Sequence, residues 1–459
     1  MKPYKIINDS MLNMLSHIEE NSIDCVITDP PYHLTSITKR FGKEDSKEAQ
    51  FGKDGSFKRL SKGFMGKEWD GGDISFNPET WKKCFKALKP GGYLLAFGGS
   101  RTFHRIACAI EDAGFEIRDT IMYLYGSGFP KSHNIGLAID KKNGIDSEII
   151  ASYERYNEPS GIVNIGQGER QKVIHKVKKA SNEWQGYGTA LKPAFEPIIM
   201  ARKPIKTTVA ENVMIYGVGG INIDECRVGT SESDKYDIRH YTNEDCFINN
   251  KPKVSEFQVK PKNDLGRFPA NIIHDGSEEV VSLFPHTESG KMTNEHQRHT
   301  DGSPNGIYGK FDKEYPLSET YGDSGSASRF FYTAKASKKD RDEGLGGFKQ
   351  KQTTRKNTHP TVKPCELMQY LVRLVAPKGA TILDPFMGSG STGKAVMFEN
   401  RERNADYKFI GIDLEKEYCE IAEMRIDYAL NKYEYDFKQE LQESKEKGQL
   451  NLFDMEENL

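Results

Sequence analysis

The sequence predicts an α/β protein, a doubly wound and largely parallel sheet split in two by a long loop-rich insert. Three observations carry this. Short apolar runs of the buried-strand type alternate with amphipathic helical stretches through residues 23–125. The alternation resumes over residues 364–429. Between them, residues 206–350 are dominated by Gly, Asn, Asp, Ser and Lys and show poor helical periodicity.

The run Ile23-Asp24-Cys25-Val26-Ile27-Thr28 stops abruptly at Asp29-Pro30-Pro31, because proline lacks the donor a central strand needs. Asp29 therefore sits at a strand's carboxyl end. Asn77-Pro78-Glu79 supplies a cap, a first-turn proline and an early acid, and Trp81, Cys84, Phe85 and Leu88 share one helical face before Pro90-Gly91-Gly92. Tyr93-Leu94-Leu95-Ala96-Phe97 reads as a buried strand, residues 102–113 as a helix closed by Gly114, and residues 116–125 as a strand. After the insert come a helix over 364–375, a strand at 381–383, a helix over 392–400, a strand at 409–412 and a helix over 417–429. The chain of 459 residues accordingly divides into a first half of the sheet domain (1–204, with a Gly- and Lys-rich loop at 33–73), an insert (205–350), a second half (351–435) and a flexible tail (436–459).

Composition narrows the function classes. The 65 Lys+Arg against 67 Asp+Glu give no global basic charge, so any nucleic-acid affinity must come from local patches. Seven cysteines, scattered and never spaced Cys-x-x-Cys, indicate neither a disulfide framework nor a zinc site. His240 lies near Cys226 and Cys246 without any zinc spacing, and no metal is expected. Met1 to Ile6 lack a signal peptide's apolar stretch, and no run approaches the about 20 apolar residues of a membrane span, so a cytoplasmic setting is expected.

Asp384-Pro385-Phe386-Met387-Gly388-Ser389-Gly390-Ser391-Thr392-Gly393 joins a predicted strand to a predicted helix. Glycines there let a nucleotide-like ligand approach the backbone at a positive helix end. Gly388, Gly390 and Gly393 satisfy the dinucleotide fingerprint, and Asp413 stands where an acid would hold ribose hydroxyls. A tight turn without a ligand is the plainer alternative. Too little chain follows Asp413 for a second mononucleotide half, which favours a smaller adenosyl ligand.

An exocyclic amine on a nucleobase is a poor nucleophile, since its lone pair is delocalised into the ring. Acceptors aimed at its hydrogens pull it toward tetrahedral geometry. Asp29 and the carbonyl of Pro30 are two such acceptors, Pro30 and Pro31 restrain both, and Tyr32 is placed to stack on an extruded base. A Pro-Pro turn capped by Asp is the structural alternative, but this tetrapeptide is expected by chance fewer than about 0.01 times in such a chain.

With these motifs the chain resembles the β class of S-adenosylmethionine-dependent DNA amino-methyltransferases, the N6-adenine and N4-cytosine family, with the catalytic motif first and the cofactor loop late. The resemblance covers most of residues 1–204 and 356–428. It implies a Rossmann-like seven-stranded methyltransferase sheet with residues 205–350 as a loop-rich target-recognition domain. It gives Asp29-Pro30-Pro31-Tyr32 the catalytic role, and gives S-adenosylmethionine to Asp384, Pro385, Phe386, Gly388, Gly390, Ser391 and Thr392, with Asp413 on the ribose. His359-Pro360-Thr361-Val362-Lys363-Pro364 is similar to the family's segment before the helix over the methionine end, so His359, Thr361 and Lys363 join the cofactor set, Lys363 opposite the cofactor carboxylate. The segment from Leu191 to Met200 resembles the strand closing the first half. The implied activity is site-specific methylation of a flipped base in double-stranded DNA, of the restriction-modification kind. Asp29 at the first motif position favours N6 of adenine; N4 of cytosine is the alternative, and an RNA or protein amine is a remote one.

Charged stretches mixed with aromatics, Lys172, His175, Lys176, Lys178 and Lys179 near Trp184 and Tyr187, and Lys335, Lys338, Lys339 and Arg341 near Phe330, Phe331 and Tyr332, read as phosphate contacts or as ordinary surface. Gln449, Leu450, Leu452 and Phe453 in the tail resemble the peptide by which bacterial DNA enzymes dock on the replication sliding clamp; a tail helix packed on its own domain is the alternative. A homodimer is left open.

Overall fold

The structure, a computed structural model, describes residues 2–33, 73–130, 132–156, 172–229, 266–288, 324–335, 337–346 and 357–432. The strands are β1 (Tyr4–Asn8), β2 (Ile23–Thr28), β3 (Leu88–Phe97), β4 (Glu116–Leu124), β5 (Glu148–Tyr156), β6 (Lys172–Lys179), β7 (Phe195–Arg202), β8 (Ile272–His274), β9 (His286–Glu288), β10 (Ser324–Ser326), β11 (Tyr332–Thr333), β12 (Thr381–Asp384) and β13 (Lys408–Asp413). The helices are α1 (Met11–Met14), α2 (Pro78–Ala87), α3 (Phe103–Asp112), α4 (Ile135–Lys142), α5 (Val209–Tyr216), α6 (Glu278–Val281), α7 (Lys338–Asp342), α8 (Cys365–Val375), α9 (Ser391–Arg403) and α10 (Lys416–Leu430).

The central sheet runs β1-β13-β12-β2-β3-β7-β4-β8-β11. β7 is antiparallel to both of its neighbours, and the other pairings are parallel. Seven of these strands belong to the two halves anticipated from sequence. The sheet is nevertheless nine-stranded among the described residues, because the insert adds β8 and β11 beside β4. The run at 270–274, isolated in sequence, is thus part of the main sheet.

Both faces are covered, as near-continuous apolar strands require. Along β2, Cys25 and Ile27 point to the face packed by Leu367, Leu371, Val396 and Ile426 of α8, α9 and α10. Val26 points to the opposite face, with Trp81 and Cys84 of α2 and Ile106 and Ile110 of α3. Asn77 caps α2, its side chain accepting from the Glu79 N–H, with Pro78 in the first turn.

The insert end is tied into the second half by charge. Lys394 of α9 and Arg425 of α10 are fully buried, and Asp340 and Glu343, at the end of the insert, supply their counter-charges. Asp340 also accepts from the first N–H of α8, at Cys365, at 2.6 Å, and Arg425 reaches the carbonyl of Ser389 at 2.5 Å.

Candidate active site

The parallel pairing β13-β12-β2-β3 brings the carboxyl ends of four strands to one edge of the sheet, where open α/β folds bind ligands. Asp413 ends β13, Asp384 ends β12, and Asp29 follows β2. β7 runs the other way, so its beginning, with Glu196, lies at that same edge. The structure thus unites the two motifs that lie far apart in sequence, and Thr28, the residue just before the first, is bonded to the second: its buried hydroxyl donates to Asp384 Oδ1 at 2.7 Å.

Above this edge is a cavity of about 1480 Å³, lined by Asp29, Pro30, Pro31 and Tyr32 on one side and by Asp413, Pro385, Phe386 and Gly388 on the other. Its volume exceeds the about 300–1,000 Å³ of a usual small-molecule site, which leaves room for two ligands side by side. Among the described residues, Asp29 Oδ1 faces no hydrogen-bond partner although it is buried. A buried carboxylate oxygen left in that condition is costly, and donors brought by a ligand satisfy it.

The tetrapeptide is fastened from behind. Ser75 Oγ donates to the Pro31 carbonyl at 2.6 Å and Thr102 Oγ1 to the Tyr32 carbonyl at 2.7 Å. Gly99 leaves space for the Tyr32 ring, since a Cβ there would lie 3.1 Å from Tyr32 Cδ2. Burial, reinforced by Asp29, holds the Tyr32 hydroxyl well above the usual tyrosine range, so it stays protonated.

Lys363 is buried at the centre of the site. Its Nζ lies 2.9 Å from Asp29 Oδ2 and 3.3 Å from Glu196 Oε2, and donates to the Tyr32 hydroxyl at 3.0 Å. Burial pulls its pKa down, but the carboxylates of Asp29 and Glu196 outweigh burial and hold it above the ordinary lysine value.

In the glycine loop, Asp384 accepts from Thr28, from Thr392 Oγ1 at 2.6 Å and from the Phe386 N–H at 3.2 Å, and burial pushes it up to about 7. Asp413 accepts from the Gly388 and Glu415 N–H groups, both at 2.8 Å, and burial pushes it up to about 6. Gly388 has φ +53°, and a Cβ there would sit 2.8 Å from His359 Nε2. Gly390, with φ +77°, faces Ala422 and Ile426, and Gly393 faces Ile426 and Phe409, so backbone conformation and close packing demand these two glycines. His359 is buried, its Nδ1 2.8 Å from the Thr361 carbonyl; burial lowers its pKa to about 4 and keeps it neutral.

The structure places the residues that the sequence assigns to the two motifs around one cavity, except Gly390, which packs against Ala422 and Ile426 instead, and it adds Glu196 and Tyr125 to the lining. Glu196 lies inside the segment 191–200 singled out in sequence, but an isolated glutamate there carries no signal without the antiparallel setting of β7. Of the half-buried aromatics at 330–332, Tyr332 stacks on Tyr370 at 4.0 Å, Phe331 meets Phe284 at 5.4 Å, and Phe330 lies against the guanidinium groups of Arg267 and Arg329. His240, Cys246, most of the 33–73 loop and the tail peptide Gln449 to Phe453 lie outside the described residues. Among the described residues, no helix is long and apolar enough to cross a membrane.

A model of the DNA methylase family matches residues 23–424. The type II methyltransferase M.HindIII of Haemophilus influenzae is 24% identical over 236 residues, covering 47% of this chain and 64% of that protein. The DNA adenine methyltransferase YhdJ of Escherichia coli is 37% identical over 71 residues, 16% of this chain and 22% of that protein. Matches to these curated relatives thus span less than two thirds of their length. A solved structure, the M1.HpyAVI-SAM complex, aligns with 92% of this chain and 99% of its own at 14% identity, with a TM-score of 0.35.

Proposed function

Because the chain belongs to the DNA methylase family, we propose that it is an S-adenosylmethionine-dependent DNA amino-methyltransferase acting on N6 of adenine in a duplex. The observation that carries this reading is Asp29 Oδ1, an unsatisfied acceptor in a cavity with room for a second ligand. Its sister oxygen is held by Lys363, so Oδ1 is the one turned to the amine. Asp29 Oδ1 and the Pro30 carbonyl accept the two amine hydrogens and localise the nitrogen lone pair; Tyr32 stacks on the base.

The residues at the other end fit an adenosyl cofactor. Asp413 lines the cavity with each oxygen taking one backbone N–H, which leaves lone pairs for ribose hydroxyls. Gly388, Pro385, Phe386 and Ser391 form the wall, and His359 buttresses Gly388. S-adenosylmethionine bound there supplies an electrophilic methyl group on its sulfonium. That methyl would pass to the amine nitrogen held by Asp29 Oδ1 and the Pro30 carbonyl, the cofactor leaving as a neutral thioether and the surplus amine proton passing to solvent. Asp384 lines the same cavity, and Thr28, Thr392 and Phe386, all donating to it, fix the loop there. Lys363, engaged by Asp29, Glu196 and Tyr32, belongs to the base end of the cavity rather than to the cofactor carboxylate.

The name of YhdJ supports adenine over the alternative, N4 of cytosine. Sequencing DNA from expressing cells with modification detection identifies base and site together. Asp29→Ala is expected to abolish transfer while cofactor binding survives; retained transfer refutes the role of Asp29. We further propose that Gln449, Leu450, Leu452 and Phe453 bind a sliding clamp. Retention on immobilised clamp, lost in Phe453→Ala, is the expected outcome, and equal retention of both removes the proposal.

A further inference from the structure

The cavity opens beside two stretches that leave the sheet and return to it, residues 125–130 and 132–134 after β4 and 187–194 before β7. Between them the chain makes an excursion through α4 and the β5–β6 hairpin. Its two roots are cross-braced. The Tyr125 N–H donates to the Ala194 carbonyl at 3.0 Å, and the Ile135 N–H to the Tyr187 carbonyl at 3.0 Å. The His133 N–H donates to Thr189 Oγ1, and the Thr189 N–H to Ser132 Oγ, each at 2.9 Å. Gly128 is pressed so close to Pro193 that a Cβ would meet its carbonyl oxygen at 1.7 Å.

On this braced rim two large apolar side chains stand in solvent: Phe129 is 79% exposed and Leu191 90% exposed, and both line the cavity that holds Asp29. Cohesion of the fold does not require them there, because neither belongs to a hydrophobic cluster of the core. Lys192 follows Leu191 on the same cavity lining, placing a cation beside the apolar pair. A rigid apolar projection with an adjacent cation, at the mouth of a cavity built for an extruded base, matches the chemistry of an opened duplex step: exposed base faces flanked by phosphates.

We propose that Phe129 and Leu191 form the wedge that enters the base stack of duplex DNA and takes the place of the base turned into the Asp29 cavity. The proposal rests on the DNA amino-methyltransferase reading above. Extruding a base costs unstacking and unpairing, and an inserted apolar side chain offsets that cost by restoring contact with the neighbouring bases. The contribution is therefore largest when the target base is paired, and small when nothing holds it in the stack.

The test uses the full chain and duplexes bearing the methylation site mapped in expressing cells, in two forms: target base paired, and target base opposite an abasic position. Phe129→Ala, Leu191→Ala and the double variant are compared with the wild type in kcat/KM, cofactor affinity, melting temperature and sedimentation. The double variant is expected to lose about 30-fold on the paired duplex and less than about threefold on the abasic one, with the other three readouts unchanged. Equal losses on both duplexes, or none on either, overturn the wedge. Weakened cofactor binding would assign the two residues to the cofactor, and a shift from oligomer to monomer would assign them to a second copy of the chain; either outcome also overturns it. If the wild-type protein methylates no DNA, the reading beneath the wedge falls first and the wedge with it.

Discussion

Replacing Lys363 with Met separates two assignments for the same side chain. The ammonium lies 2.9 Å from Asp29 and 3.3 Å from Glu196, and at an effective dielectric of about 20 each contact is worth roughly 5–6 kcal/mol before desolvation is subtracted. Most of that gross attraction only offsets the burial of three charges, so the informative quantity is what removal leaves behind. Two carboxylates then face each other without a cation, a situation that costs about 3–5 kcal/mol when fully buried. Their side chains are 19% and 25% exposed, and water entering the cavity reduces the cost to about 2–3 kcal/mol. Asp29 relieves the repulsion by turning away, and that spoils the acceptor. Losing one such electrostatic group lowers turnover by about 100- to 1,000-fold, and we expect kcat in Lys363→Met to fall by that factor. Cofactor affinity is expected to change less than about threefold. Single-turnover methylation with labelled cofactor and calorimetric titration of the cofactor measure the two quantities. A cofactor affinity weakened by two orders of magnitude, with turnover intact at saturation, would refute the reasoning and return Lys363 to the cofactor carboxylate.

Two further outcomes follow from the cofactor end. Burial holds the Asp413 carboxyl up at about 6, and ribose hydroxyls need its ionised form, so cofactor affinity should weaken about tenfold per pH unit below 6 and be flat above it. Asp413→Asn should remove that slope; an unchanged slope in the variant locates the titration elsewhere. The sign for stability is opposite: with its folded pKa above that of a free aspartate, Asp413 takes up protons on folding between the two values, so the unliganded protein loses stability as pH rises through about 6. Melting temperature against pH, in wild type and Asp413→Asn, checks this. Gly388→Ala forces a left-handed backbone and a 2.8 Å contact with His359 Nε2, and should cost roughly 1–2 kcal/mol of stability and loosen cofactor binding. A variant with unchanged melting temperature would contradict it.

The parts of the site written in local sequence were legible. A buried apolar run ending at Asp29-Pro30-Pro31, and a glycine loop between strand and helix, each announce their position within about ten residues. The meeting of Lys363 with Glu196 was not legible, because it depends on β7 running antiparallel in a parallel neighbourhood. In the insert, α5 has a complete capping box, Thr208 with Glu211, and a left-handed Gly217 at its end, yet it passes unnoticed within a polar background. β8 and β11, three and two residues long, are too short to show a period, and they find their places only by pairing, β8 with β4 and β11 with β8.

The pairing of Lys394 and Arg425 with Asp340 and Glu343 has a consequence for anyone who would exchange the region between the two halves. The transplant boundary that the loop-rich composition suggests, near residue 350, falls on the wrong side of these anions. A graft taken from a relative and joined there would remove both acids and strand two cations in a dry interior behind Ser389. Moved upstream of Ser337, the junction keeps α7 with the recipient, and the interior remains electrically neutral whatever sequence is carried in front of it.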